Sequence, residues 1–389
     1  MFRTMPVILI ATIFAVILLN PLIPLTFKQA LYSLGLSIKD LIVLLLPFII
    51  FGLLFKAAVM LASTATQIIF IILILVCCSN FLSTFLSHFV GIWVHSFDLS
   101  MIAPKSFEGL EPLWTLSMPK FMANNTAMFA GIIIGIATSK LYPAKAMIYA
   151  ERLERYVAKL LKIIVLLIPL FVVGFIIKLQ HDGVISVIIK DYMFIFIAVA
   201  VAQYSYIALA YFLLNNAKAG EFIQSVKNII PAAITGFSTM SSAASMPLTI
   251  IGAENNATNK EVARFVIPAT VNIHLVGDCF AIPIFAYAVL KSFGMAEPSL
   301  INYMIFTLYF VLAKFSVAAI PGGGIIVMLP ILERYLGFNA EMMSLITALY
   351  ILFDPVITCA NVLGNGAFAK MVDKALHFFG DKRVVPSSL

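Results

Sequence analysis

Asp354, Thr358, Asn361 and Asn365 follow one another at spacings of four, three and four residues inside an otherwise apolar stretch. Residues three or four apart are neighbours on a helix, so a carboxylate, a hydroxyl and two amides share one stripe. A lone carboxylate at membrane depth costs ~2.5–3.5 kcal/mol on insertion scales. Something must compensate it. It either fastens helices by pairing with a basic residue, for which Lys314 is available, or accepts a cationic group from a ligand. Three further polar residues on the same stripe favour the second use. Pro355, directly after the carboxylate, fits near a helix start or kink, where its missing amide costs least.

Other polar groups stand in apolar surroundings. His274 and Asp278 form an i,i+4 pair suited to a salt bridge, a proton relay or an ion site. Ser241 and Ser242 lie in the small, polar cluster 236–245 that leads into Pro247, and small residues of this kind also line ordinary helix contacts. Pro321 with Gly322, Gly323 and Gly324 closes a second cluster, 318–324. His88 and His95 border an apolar run without a paired ligand and read as interfacial anchors. Cys77, Cys78, Cys279 and Cys359 read as small buried side chains rather than a disulfide framework. The sequence shows no cysteine–histidine cluster, no phosphate-cradling glycine loop and no nucleophile with a base beside it. An enzyme is disfavoured, and no cofactor is implied beyond a transported sodium ion or proton.

The elements that position these groups are membrane spans. The chain is 62% hydrophobic and 11% charged over 389 residues, and its mean hydropathy is +1.07, whereas soluble domains are about half apolar and a quarter charged. Runs at 5–25, 41–61, 68–94, 163–179 and 192–214 each approach the ~20 apolar residues that cross a bilayer as helix. The first run has no small-residue cleavage site and reads as a retained helix rather than a signal peptide. Up to about residue 215 the chain reads as six ordinary helices with short connectors such as 96–105 and 181–191. The net charge of +7 is explained by orientation rather than by nucleic acid. The basic loop of Lys140, Lys145, Arg152, Arg155, Lys159 and Lys162 and the tail with Lys370, Lys374, Lys382 and Arg383 fall inside under the positive-inside rule. Both termini are then cytoplasmic, in a multi-pass protein of the cell (inner) membrane.

After residue 222 polar clusters interrupt the apolar runs at 236–245, 272–278, 318–324 and 354–365. Non-helical backbone at membrane depth survives only where protein or a water-filled cavity meets its amides. Flanks too short to cross alone surround the first and third clusters, as in re-entrant hairpins. Each hairpin is followed by an interrupted helix, and such paired units mark a transporter's binding region.

At these segments the chain resembles the dicarboxylate/amino-acid:cation symporter family of glutamate and neutral amino acid transporters, essentially end to end. Ser241-Ser-Ala-Ala-Ser-Met-Pro247 is similar to the serine-rich tip of the family's first hairpin, and Ala319-Ile-Pro-Gly-Gly-Gly324 to the tip of its second. The Asn272 segment stands where the family has a broken seventh helix with an Asn-Met-Asp-Gly-Thr motif. Asp354 through Asn365 matches the eighth-helix pattern Asp, three residues, Thr, two residues, Asn-Val, one residue, Gly-Asp.

The resemblance implies an all-α polytopic membrane protein with eight transmembrane helices, two re-entrant helical hairpins and an elevator mechanism in a homotrimer. Residues 1–221 would be six helices, mostly scaffold and trimerisation. Residues 222–378 would be the transport core of hairpin 1, broken helix 7, hairpin 2 and helix 8, and 379–389 a cytoplasmic tail. By position, Asp354 would hold a substrate ammonium. Thr358, Asn361, Ser242 and Ser241 would serve its polar groups, while Ile320 and Gly322 close the second hairpin. Coupling cations would use Asn272, His274, Asp278, Asn361 and Asn365, with Asn272, Asn361 and Asn365 as metal ligands and Ser83 and Thr84 on a further cation site. The eighth-helix arginine that grips an acidic side chain is Ile357 here. The motif's aspartate is Asn365, the seventh-helix aspartate is His274 and its threonine is Val276. These departures point to cation-coupled symport of neutral amino acids. The alternatives are a dicarboxylate or acidic amino acid carrier drawing its cation from Lys314, and, from another class, a channel or a transport-dead receptor.

Overall fold

A chain this apolar must pair its backbone amides within each segment, and helices do so. The computed structural model describes residues 15, 16, 18–63, 67–97, 110–116, 118, 119, 121, 122, 124–181, 185–317 and 322–378, and among these there are helices and no strand. The major helices are α1 (Leu25–Ser63), α2 (Gln67–His95), α3 (Asn124–Leu141), α4 (Pro143–His181) and α5 (Ile185–Leu214). They continue as α6 (Ala219–Thr239), α7 (Ser242–Glu254), α8 (Lys260–Thr270), α9 (Val276–Ser292), α10 (Leu300–Lys314), α11 (Gly323–Leu336) and α12 (Ala340–Phe378). Three stretches of the described residues are long and apolar enough to cross a bilayer, Ile71–His95, Tyr192–Leu214 and Ala340–His377. Most of the expected first span at 5–25 lies outside the described residues, as does the tail from 379 onward.

Several expectations change. The basic stretch expected as a loop is mostly helix: α3 runs to Leu141 and α4 starts at Pro143, so Lys145, Arg152, Arg155 and Lys159 ride on α4. Long charged side chains are good helix formers, and their charge hid the continuity. Lys56 of α1 pairs with Glu154 of α4 at 2.5 Å, tying that stretch to its neighbour. The connector expected at 181–191 is shorter, because α5 begins at Ile185. Cys279 is buried and Cys77 and Cys359 are half-buried, but Cys78 is exposed. An apolar run in a membrane helix has an outer face turned away from the protein, so hydrophobicity alone does not bury a residue.

Packing sorts the helices into two bodies. Helices α3 and α4 lie against α1. In the other body α12 is central, touching α5, α6, α7, α8, α9 and α11, while α2 packs on α9 and α10. Contacts between the bodies run mainly through α11 against α1 and α12 against α4. Helices α2 and α5 thus join the C-terminal half.

Both hairpins form. Helices α6 and α7 pack on each other and reverse at Met240, whose φ of 48° is left-handed. Ser241 then caps α7, its side chain accepting from the Ala244 amide at 3.3 Å. Helices α10 and α11 pair likewise, and α11 is entered through Gly322 at φ 72°, a conformation that favours glycine. Residues 318–321 of that tip, with Ile320 and Pro321, lie outside the described residues. The seventh-helix region is broken as expected, α8 ending at Thr270 and α9 starting at Val276. Helix α12 instead runs unbroken through Pro355, so no helix starts there.

Candidate functional site

The polar stripe of α12 is buried, and its members have different partners. Asp354 Oδ2 accepts from the Gly322 amide at 2.9 Å, and Oδ1 accepts from the Thr358 hydroxyl at 2.9 Å. One carboxylate therefore joins α12 to the tip of the second hairpin. No cationic side chain among the described residues bonds it. Thr358 also lies beside the first hairpin: a Cβ on Gly236 of α6 would sit 3.5 Å from the Thr358 carbonyl and 2.9 Å from Val362. Ser242 is buried in that hairpin, and its carbonyl accepts from Ser245 at 3.0 Å. Ile357 is fully buried in the apolar core next to the stripe.

A second carboxylate gathers more elements. Asp278, in the first turn of α9, accepts from Lys314 Nζ at 2.8 Å on Oδ2, and on Oδ1 from Tyr350 at 3.0 Å and Asn361 at 3.2 Å. The Lys314 and Asp278 side chains are 0% and 2% exposed. Lys314 also lies over the Phe310 ring, 4.6 Å from its centroid. Two expectations are corrected here. Lys314 pairs with Asp278 and not with Asp354, and Asp278 does not pair with His274. His274 falls in the break before α9 begins, so the four-residue spacing does not place the two on one helical face.

The broken segment is held by side-chain amides. Asn80 of α2 donates to the Ile273 carbonyl at 2.7 Å and accepts from the Leu275 amide at 3.3 Å, while Asn361 accepts from the Gly277 amide at 2.8 Å. Backbone groups left bare by the break are thereby satisfied, as burial requires. Gly277 permits this approach, since a Cβ there would run into the Ile357 carbonyl. His274 Nε2 lies 2.9 Å from Ser79 Oγ and its Nδ1 is 3.3 Å from Asn365 Oδ1. Its ring packs on Phe368 at 4.3 Å between centroids. The other buried amide atom of Asn365, Nδ2, has no partner among the described residues.

The remaining predicted residues disperse. Asn272 is exposed, and no hydrogen bond among the described residues joins it to Asn361 or Asn365, so the three amides do not share one bonded cluster. Ser83 donates its hydroxyl to the Ser79 carbonyl at 2.8 Å. The Thr84 carbonyl accepts from Tyr303 at 2.7 Å. His88 is no interfacial anchor: it is buried, lies 2.5 Å from the Tyr287 hydroxyl and stacks on Tyr303 at 4.5 Å. His95, nearer the helix end, meets the Met295 carbonyl at 3.0 Å. Among the described residues no group of three His, Cys, Asp or Glu side chains gathers to hold a metal ion.

Sequence reasoning missed Tyr350, Ser79 and Asn80. Tyr350 stands four residues before Asp354 and extends the stripe by one helical turn, which was the available signal. Ser79 and Asn80 begin a polar series through 83, 84, 87 and 88 in an apolar span, and such residues inside a membrane helix face protein rather than lipid.

Comparison with known proteins gives matches over much of the chain. A family model described as the sodium:dicarboxylate symporter family matches residues 5–375. The chain is 30% identical to excitatory amino acid transporter 2 of Mus musculus over 249 residues, 62% of this chain and 43% of that protein. It is 26% identical to excitatory amino acid transporter 1 of Bos taurus over 233 residues, 58% of this chain and 42% of that protein. A third relative, an excitatory amino acid transporter of Onchocerca volvulus, is 30% identical over 148 residues, 38% of this chain and 30% of that protein. In each case the match spans less than half of the relative's length.

Proposed function

The chain belongs to the sodium:dicarboxylate symporter family, and from that premise we propose that it is a cation-coupled symporter of amino acids, with neutral ones as its substrates. The observation that carries this reading is the state of Asp354. It is a buried carboxylate held by one backbone amide and one hydroxyl and bonded by no cationic side chain among the described residues. Its charge is free for a substrate ammonium. Thr358 beside it and Ser242 across in the first hairpin suit the substrate's carboxylate and polar groups. Because Gly322 of the second hairpin bonds the same carboxylate, filling the site and moving that tip are linked. Ile320, two positions before Gly322 in the chain, lies outside the described residues.

Selectivity follows from what does not face the ligand. Ile357 brings no charge, so a second substrate carboxylate would be desolvated without a partner, at a cost of several kcal/mol. The dicarboxylate alternative needs Lys314, and that ammonium is already committed to Asp278 at 2.8 Å. Recruiting it would strand a buried charge.

In this reading α1, α3 and α4 belong to a scaffold that forms a homotrimer in the inner cell membrane with both termini cytoplasmic. The body around α12, including α2 and α5, moves against it in an elevator of eight spans and two hairpins. Sodium or a proton couples through the groups around the broken helix, His274, Asn272 and Asn365.

Uptake into proteoliposomes under imposed sodium and proton gradients, scanned over the amino acids and succinate, tests the proposal. Small neutral amino acids should accumulate above equilibrium and displace one another far better than glutamate, aspartate or succinate. Equilibration without accumulation would make the protein a channel, and binding without uptake a receptor. Stronger competition by glutamate or succinate would overturn the substrate assignment.

A further inference from the structure

Asp278 is met from four elements. Its own helix, α9, presents it. Lys314, at the end of the first arm of the second hairpin, reaches Oδ2 at 2.8 Å. Tyr350 and Asn361 of α12 reach Oδ1. The second arm completes the enclosure, since a Cβ on Gly324 of α11 would collide with Asp278 Oδ2 and the Tyr350 hydroxyl. Both arms of one hairpin are thus seated on a single carboxylate that the substrate site does not use.

An ion pair is an inefficient fastener for this position. Removing two charges from water costs several kcal/mol per ion, and apolar residues of similar volume often hold a core as well or better. The pair nevertheless stands where the two arms of the hairpin meet its tip, with the Tyr350 phenol as a second oxygen group beside the carboxylate, while Asn361 turns its N–H toward Asp278. Hard cations favour oxygen ligands of this kind. We propose that Lys314 is a tethered cation: its ammonium permanently occupies a cation site formed by the Asp278 carboxylate and the Tyr350 phenol, so that the second hairpin closes there without an ion from solution. The inference rests on the carrier reading. It adds that one coupling site of the hairpin is filled by the protein itself, leaving coupling to the separate groups around His274.

Vacating the site should restore its demand for a free ion. Lys314→Ala removes the ammonium and leaves the oxygen donors, and Lys314→Ala/Asp278→Asn removes the charge that would attract a replacement. The purified full-length proteins in detergent are unfolded by heat while sodium chloride is titrated against choline chloride at constant ionic strength. The wild type defines the baseline response. Lys314→Ala should gain an additional, saturable stabilisation by sodium. An ion present at 100 times its dissociation constant multiplies the folded-to-unfolded ratio about 100-fold. The double variant should return to the baseline. Recovery of Lys314→Ala from membranes in sodium but not in choline has the same meaning. A response equal to the wild type's, an added response that survives in the double variant, or failure to recover Lys314→Ala even in saturating sodium each overturns the proposal. Unfolding is read without any substrate. If no amino acid is transported, the carrier reading fails and this result still stands on its own.

Discussion

Replacing Asp354 with Asn separates the charge of the carboxylate from its shape. The two oxygens do different jobs in the structure. Oδ2 faces the Gly322 N–H at 2.9 Å, which can only donate, so the amide oxygen of an asparagine must turn that way. The new Nδ2 then faces Thr358 Oγ1, now 2.9 Å from Oδ1. A hydroxyl can accept as well as donate, so rotating that one proton restores the second bond. Both hydrogen bonds of the side chain survive, and a costly buried charge is gone. The variant should therefore insert and assemble, with thermal stability equal to or above that of the parent. Binding should suffer in proportion to the lost ion pair. Breaking a buried pair by removing one partner costs about 3–5 kcal/mol, which at 1.4 kcal/mol per decade is roughly two to four orders of magnitude in affinity. Calorimetric titration of the best substrate, beside uptake in proteoliposomes, measures this directly. Substrate affinity within a few-fold of wild type, in a variant that folds normally, would refute the assignment of Asp354 to an ammonium.

Two further outcomes are expected. Gly277→Ala drives a methyl group into the Ile357 carbonyl and to 3.1 Å from Asn361 Oδ1, so it should cost about 1–3 kcal/mol as overpacking does, seen as a lower unfolding midpoint; an unchanged midpoint would mean that α9 and α12 are less closely apposed. Uptake should persist when sodium is replaced by choline, because His274 and Asn365 stand where the resembling family has carboxylates. Asn365→Asp sets a carboxylate where Oδ1 now lies 3.3 Å from the His274 ring, and it should impose a dependence on sodium or on protons. Identical cation profiles for the two proteins would count against a coupling site there.

How much of this was legible beforehand depended on the range of the interaction. Membrane helices, the two hairpins and the break before α9 could be read from local hydropathy and from clusters of small polar residues, because a segment's need to pair its own amides is decided within the segment. The shared stripe of Asp354, Thr358, Asn361 and Asn365 was legible for the same reason, helical spacing being a property of neighbours. Of the two readings of Pro355, a helix start or a kink, the start is excluded, since α12 continues through it. What the sequence could not decide was which side chain answers which. Lys314 had two buried carboxylates within 40 positions, Asp278 and Asp354, and both satisfy charge balance equally well. Only the packing of the second hairpin, with α10 ending beside the start of α9, selects Asp278. That choice leaves Asp354 available to a ligand. His274 likewise reads as a partner of Asp278 until the break between Thr270 and Val276 carries it toward Ser79 of a remote helix. Composition and spacing established that a buried, charged site exists among helices. Pairing across helices far apart in the chain is set by how whole elements pack, and that tertiary choice decides which carboxylate is paired inside the fold and which is bonded by no cationic side chain among the described residues.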